Sequence, residues 1–243
     1  TTFPFEILVH DDASTDRTSE IVREHSIKYP NLIYSVLQTE NQYSKGRPIN
    51  ATFNFPRARG RYVAMCEGDD YWTDFHKLQW QIDFLESNPN IAMCSHEVKL
   101  NNDTGKDVRS VRRKLGVLYR HFSLFGVAGL FEVLKSAVGT RAAIESFDLA
   151  HRSKKRKGDG AVYALADFSD GATSIANCSM VLRKSVVDAF LGAFSVTPRG
   201  GHQLLLLMAA VSGGIGHFYK VSAVKNDQPT SVTQCDKRRA LNR

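Results

Sequence analysis

Three carboxylates fall within four residues at Glu67-Gly68-Asp69-Asp70, and a second acidic group, Asp11-Asp12 with Asp16, lies near the start of the chain. Carboxylate oxygens are hard ligands, and several of them at one strand end suit Mg²⁺ or Mn²⁺. A cation held there can bridge two phosphates of a nucleotide and offset the charge on a leaving diphosphate. Gly68 lets the backbone turn between the acids without a side-chain clash. The same residues also read as a surface turn ahead of Trp72, and spacing alone does not choose between the two. At the other cluster an ionised Asp12 can only accept hydrogen bonds, which suits the imide N–H of a uracil-like ring or a ribose hydroxyl. Ser14, Thr15 and Asp16 can add acceptors there, or can simply cap a helix.

Both clusters follow apolar runs. Glu6–His10 and Tyr62–Cys66 read as buried strands that deliver acids at their C-terminal ends. Ile21, Val22, His25 and Tyr29 follow the first cluster at helical spacing, and Pro30 ends that helix. Leu32–Leu37 and Ile91–Ser95 are further strands. Asp74 can cap a helix whose Leu78, Ile82 and Leu85 point one way. Strand and helix alternate through the first hundred residues, the pattern of an α/β domain with a mostly parallel sheet flanked by helices. In such sheets ligands bind beyond the carboxyl ends of the strands, so both acidic clusters are expected on one edge. The middle of the chain is less regular, with apolar helical stretches at Leu115–Leu134 and Ala142–Ala150. Order returns with a strand at Ser179–Leu182, helices from Val186 and over Leu204–Val211, and a strand over Ile215–Val224.

The chain has 243 residues, 42% of them hydrophobic and 23% charged, which fits one large globular domain and excludes collagen, coiled coil and disorder. The longest apolar stretch is broken by Arg120, His121 and Glu132, so no spanning helix is expected. Thr1–Phe5 reads as the approach to a strand rather than as a leader, and the expected place is the cytoplasm. The net charge is +7, yet 13 lysines and arginines against 4 acids lie between Gly105 and Lys157. That basic segment, counted from residue 109 to 157, suits peripheral contact with the inner face of an anionic membrane. The run HRSKKRK has no interleaved aromatics, so a nucleic-acid partner is not expected. Cys66, Cys94 and Cys178 sit in apolar runs without CxxC spacing and are expected to be buried free thiols.

Phe5–Thr18 (FEILVHDDASTDRT), Gln38–Asn50 (QTENQYSKGRPIN) and Arg59–Leu85 (RGRYVAMCEGDDYWTDFHKLQWQIDFL) resemble, in order, successive motif blocks of the bacterial-type family-2 glycosyltransferases of GT-A fold. The likeness is nearly continuous over residues 3–96, weaker over Ala172–Arg183 and Gly200–Thr233, and absent over 100–170. It implies a single GT-A-like domain with a nucleotide-binding half (1–98), a variable insert (99–170) and an acceptor-side half (171–243). It implies inverting transfer of a sugar from a UDP- or dTDP-linked donor to a glycan or lipid-linked acceptor, assisted by Mn²⁺ or Mg²⁺. By position, Asp12 would hold the base, with Ser14, Asp16, Lys45 and Lys225 also on the nucleotide. Glu67 and Asp69 would be the acids of the metal motif, and Asp70 would extend it.

The chain departs from the family pattern in three places. The family carries a strand and helix ahead of the position of Thr1, so the resemblance implies a copy without them and with weaker nucleotide binding. Where the family has an acidic catalytic base after a glycine, this chain has Gly201-His202, and histidine can serve as a base near neutral pH. The family's Tyr-Arg-x-His stretch reads Val224-Lys225-Asn226-Asp227, where Lys225 offers a point charge instead of a bidentate fork. These departures leave open a second reading, a non-catalytic relative that still binds a nucleotide or glycan.

Overall fold

A computed structural model describes residues 1–101, 108–109, 155–157, 159–163, 175–196 and 201–226. The apolar stretches at 115–134 and 142–150, most of the 99–170 insert and most of the basic segment lie outside these residues.

The chain opens with β1 (Ile7–Asp11), α1 (Thr18–Lys28) and β2 (Ile33–Leu37). β1 and β2 pair in parallel, Ile7 opposite Ile33 through Asp11 opposite Leu37, and form a two-stranded sheet. Irregular helical turns over Asn50–Asn54 and Phe55–Arg57 lead into β3 (Tyr62–Ala64), β4 (Tyr71–Trp72), α2 (Lys77–Ser87) and β5 (Met93–Asn101). Short strands β6 (Val108–Arg109), β7 (Lys155–Lys157) and β8 (Gly160–Tyr163) follow, then β9 (Val181–Arg183), α3 (Lys184–Val196), α4 (Gly201–Val211) and β10 (Ile215–Asn226).

The second sheet runs β3-β9-β5-β10-β8-β7, with β4 on β10 and β6 on β5. Only β5 and β10 are parallel in it; the β3–β9, β5–β9, β10–β4, β10–β8, β5–β6 and β7–β8 pairs are antiparallel. The α/β architecture agrees with the sequence, but the sheet is mixed where a mostly parallel one was expected. The reason is that the returning strand β9 inserts between β3 and β5, and strand-helix alternation cannot report where a distant strand inserts.

Two apolar clusters cover the two faces of this sheet. Met93 and Leu182 point into one with Val187, Phe190, Leu205, Met208 and Ile215, which are contributed by α3, α4 and β10. Cys94 and Val181, one residue out of phase, point into the other with Leu85, Leu78, Trp80, Ile82 and Phe84 of α2. Where a strand is buried on both faces its successive residues are apolar, as at Met93-Cys94 of β5 and Val181-Leu182 of β9. By contrast α1 has no buried residue, and Ile27 is 74% exposed.

A cleft of about 960 Å³ separates the two sheets, lined by Glu6–Leu8 on one side and Tyr62–Glu67 on the other. Among the described residues β1 pairs only with β2 and β3 only with β9. The Glu6–Arg59 ion pair (2.7 Å) and the Gln79 bond from the Thr2 amide (2.8 Å) tie the sheets together across it.

Lys77, at the start of α2, is 1% exposed, its Nζ has no hydrogen-bond partner among the described residues, and it lies 4.3 Å from the centroid of the Trp72 ring. Burial pushes its pKa down to about 8. The unfolded chain, with an ordinary lysine, therefore binds more protons between about pH 8 and 10.4, so the site's penalty is fully present at pH 7 and fades as pH rises through that window. Lys77→Met should stabilise the fold at pH 7 on the order of 1 kcal/mol, net of the lost cation–π contact, with the gain shrinking by pH 10. Urea midpoints at the two pH values measure this, and a less stable variant at pH 7 contradicts it.

Candidate active site

β3 ends at Ala64, and the chain then turns through Cys66, Glu67, Gly68 and Asp69 before β4 begins at Tyr71. The turn is closed by the Asp70 amide donating to the Glu67 carbonyl (3.0 Å). Carboxylate oxygens of Glu67, Asp69 and Asp70 all lie within 4.8 Å of one another. Glu67 and Asp69 are exposed, while Asp70 is 8% exposed. Cys66 is exposed as well, against the expectation of burial, because it sits where the strand gives way to the turn; Cys94 and Cys178 are buried free thiols.

The end of β10 closes on this turn because β4 pairs with it, Tyr71 opposite Val224. Lys225 Nζ lies 3.2 Å from Glu67 Oε2 and 3.7 Å from Asp70 Oδ2. The Asn226 amide donates to Asp70 Oδ1 (2.9 Å), and its side-chain Nδ2 donates to the Asp69 carbonyl. Burial raises the Asp70 pKa, against the Asn226 amide and Lys225, which lower it. Burial alone would lower Lys225, but the Glu67 and Asp70 carboxylates outweigh it and hold the ammonium above its ordinary value.

A third element completes the group. Asn177, just ahead of β9, donates from Nδ2 to Glu67 Oε1 (2.7 Å), and its Oδ1 lies 2.6 Å from His202 Nδ1. The carboxylate fixes which end of the Asn177 amide faces it, so the oxygen faces the imidazole and His202 must carry its proton on Nδ1. Nε2 is then the ring's acceptor. Burial pushes the His202 pKa down, although Glu67 and the Ile175 carbonyl favour the charged ring.

The residues fit a divalent ion. Three carboxylates converge, Asp70 Oδ2 is buried without a close hydrogen-bond donor among the described residues, and an ammonium already sits among them. Such donors select hard cations.

The other candidates form a separate group around the end of β1. Asp12 accepts from the Gln42 and Tyr43 amides (2.8 and 2.9 Å), which anchors the turn over Tyr43–Lys45. Ser14 bonds the buried Asp11, and Ala13 between them is left-handed at φ 61°, a costly state for a residue with a Cβ. Asp16 Oδ1 accepts from the Thr18 amide (2.9 Å) at the start of α1. Lys45 is ion-paired with Glu40. No hydrogen bond or ion pair joins this group to Glu67–Asp70 among the described residues. Trp72 donates from Nε1 to the Cys178 carbonyl (2.8 Å), and Trp80 packs edge-on to Phe218 and His96, so both serve packing, while Tyr71 is 51% exposed.

Asn177 and Asn226 escape a reading of the sequence, since a lone asparagine carries no periodicity and no charge. Their only signal is position, inside the two segments of weaker resemblance.

Residues 1–150 match the family described as Glycosyl transferase family 2. The chain is 40% identical over 124 residues to an uncharacterized protein of Mycobacterium tuberculosis, an overlap of 48% of this chain and 34% of that protein. It is 33% identical over 132 residues to the dolichyl-phosphate beta-glucosyltransferase ALG5D of Trichomonas vaginalis, covering 53% of this chain and 39% of that one. To the UDP-Glc:alpha-D-GlcNAc-diphosphoundecaprenol beta-1,3-glucosyltransferase WfaP of Escherichia coli it is 37% identical over 82 residues, 34% of this chain and 30% of that protein. The chain thus spans about a third of the length of these relatives.

Proposed function

The chain belongs to glycosyl transferase family 2, and on that premise we propose that it transfers a sugar, with inversion, from a UDP- or dTDP-linked donor to a glycan or lipid-linked acceptor. The observation that carries this reading is the convergence of Glu67, Asp69 and Asp70 with Lys225 and, through Asn177, with His202. The names of two relatives specify glucosyl transfer, one to dolichyl phosphate and one to a diphosphoundecaprenol-linked sugar, which supports a lipid-linked acceptor. Among the described residues no helix is long and apolar enough to cross a membrane. Basic residues between 109 and 157 would bring a cytoplasmic enzyme to the inner face of one.

Glu67, Asp69 and Asp70 would hold Mn²⁺ or Mg²⁺, which would supply positive charge to offset that of the departing diphosphate. The acceptor hydroxyl oxygen bonds to the anomeric carbon as the bond from that carbon to the phosphate oxygen breaks, and the hydroxyl proton passes to His202 Nε2. Burial keeps the ring neutral, as a base must be before it acts. Lys225 adds charge beside the diphosphate, and Asp12 accepts from the base.

The test is the melting temperature with millimolar UDP or dTDP plus Mn²⁺, since a ligand of the native state raises it. No shift with either nucleotide counts against the donor reading. His202→Ala should then lower sugar transfer by about 10²–10⁴-fold with nucleotide binding unchanged and flatten the acidic limb of the pH profile. If residual hydrolysis and its pH profile do not change, His202 is not the base, and the non-catalytic reading takes over.

A further inference from the structure

Two of the three carboxylates of the cluster, those of Glu67 and Asp70, each have one oxygen committed to a neutral donor. Asn177 takes Glu67 Oε1, and the Asn226 amide takes Asp70 Oδ1. The two remaining oxygens, Glu67 Oε2 and Asp70 Oδ2, both face Lys225 Nζ, at 3.2 and 3.7 Å. Among the described residues Asp70 Oδ2 is buried without a close hydrogen-bond donor, and Lys225 is the cation it faces, with the Cys178 thiol also beside this carboxyl. The ammonium therefore holds the place that a divalent ion bound to the same oxygens would need. Like charges a few ångströms apart repel strongly in a partly buried site, so the two cations exclude each other there.

Lysine is a compact charge on a flexible stem, and this one stands at the exposed end of β10, its side chain 32% accessible. It can leave the carboxylates, but only at a cost unless another anion receives it. A diphosphate bound beside the turn is such an anion.

We infer that Lys225 is a built-in counter-ion of the acidic cluster, which competes with the divalent cation in the free protein and moves onto the diphosphate when both ligands bind. The inference rests on the cluster being the cation site proposed above. It makes binding of cation and nucleotide cooperative: the nucleotide draws off the competitor, and the cation releases the lysine to the nucleotide. By linkage each ligand must strengthen the other by the same factor.

The experiment titrates Mn²⁺ into the full chain, following free Mn²⁺ by electron paramagnetic resonance, with and without UDP, for wild type and Lys225→Met. Mn²⁺ alone should bind the variant about tenfold tighter, UDP at saturating Mn²⁺ should bind it about tenfold weaker, and the tightening of Mn²⁺ by UDP should shrink accordingly. Effects of opposite sign on the two ligands distinguish a competing counter-ion from a merely structural lysine, whose loss would weaken both. Lys225→Arg should keep the wild-type coupling. Lys225→Gln, which can still bond Glu67, is the neutral variant to use if the methionine protein does not fold. Mn²⁺ affinity in a folded neutral variant equal to or below that of wild type overturns the inference alone. Absence of Mn²⁺ binding to wild type and variants overturns the cation site and this inference with it.

Discussion

Asp69→Ala is expected to lower sugar transfer by about 10²–10³-fold while leaving the fold in place. Asp69 is exposed, and the contact that holds this residue, the bond from Asn226 Nδ2, goes to its backbone carbonyl. Truncation therefore removes a carboxylate from the cluster without orphaning a buried donor, and surface changes of that kind usually stay within about 0.5 kcal/mol. Asp70→Ala is the contrast. It removes the acceptor of the Asn226 amide inside the protein, so activity and stability should fall together. The measurements are transfer rate, Mn²⁺ binding and the urea midpoint of each variant. An Asp69→Ala protein that transfers sugar at the wild-type rate removes this residue from the site.

The largest structural effect is expected at Gly213, in the turn between α4 and β10. Its φ of 142° is one that residues with a side chain rarely adopt, and a Cβ built there would lie 2.1 Å from the Asn90 carbonyl oxygen. Neither side of that contact can yield easily. The Gly214 amide is bonded to the Ala209 carbonyl, and the Gly214 carbonyl accepts from the Ala92 amide. The opposing turn is pinned by Arg183, which donates to the Leu85, Asn88 and Ile91 carbonyls. Gly213→Ala should cost about 3 kcal/mol or more, combining backbone strain with overlap against fixed backbone. For a chain of this size that is a fall in Tm of roughly 10 °C, against little change for the neighbouring exposed Ser212→Ala. A Gly213→Ala protein melting within a degree of wild type contradicts the geometry. The consequence reaches the site, because β10 carries Lys225 and Asn226 to the acidic turn.

Local physics made much of this legible in advance. β1, β2, β3, β5, β9, β10 and the helices α1 and α2 lie where apolar runs and helical spacing place them. The acidic turn follows its strand because Gly68 and three like charges cannot continue a buried ladder. Other features depended on local detail that apolar periodicity does not report. The turns over Asn50–Arg57 are irregular, with Pro56 removing a backbone donor within them. Cys66 looked buried by its apolar neighbours, yet the strand stops just short of it. Of the two readings of Ser14 and Asp16, ligand acceptors or helix caps, the local bonds to Asp11 and to the Thr18 amide are those of the second.

Residue types and spacing by themselves determined that acids stand at two strand ends and that basic residues concentrate between 105 and 157, while the resemblance to the family singled out His202 and Lys225. The first two are properties of neighbours a few positions apart. Only the tertiary structure decided that Glu67 and Asp70 share an ammonium 158 and 155 residues away, that Asn177 orients His202, and that Asp12 bonds the Gln42 and Tyr43 amides. Such pairings depend on β9 entering beside β3 and on β4 folding back onto β10, and long-range strand pairing leaves no periodic trace along the chain.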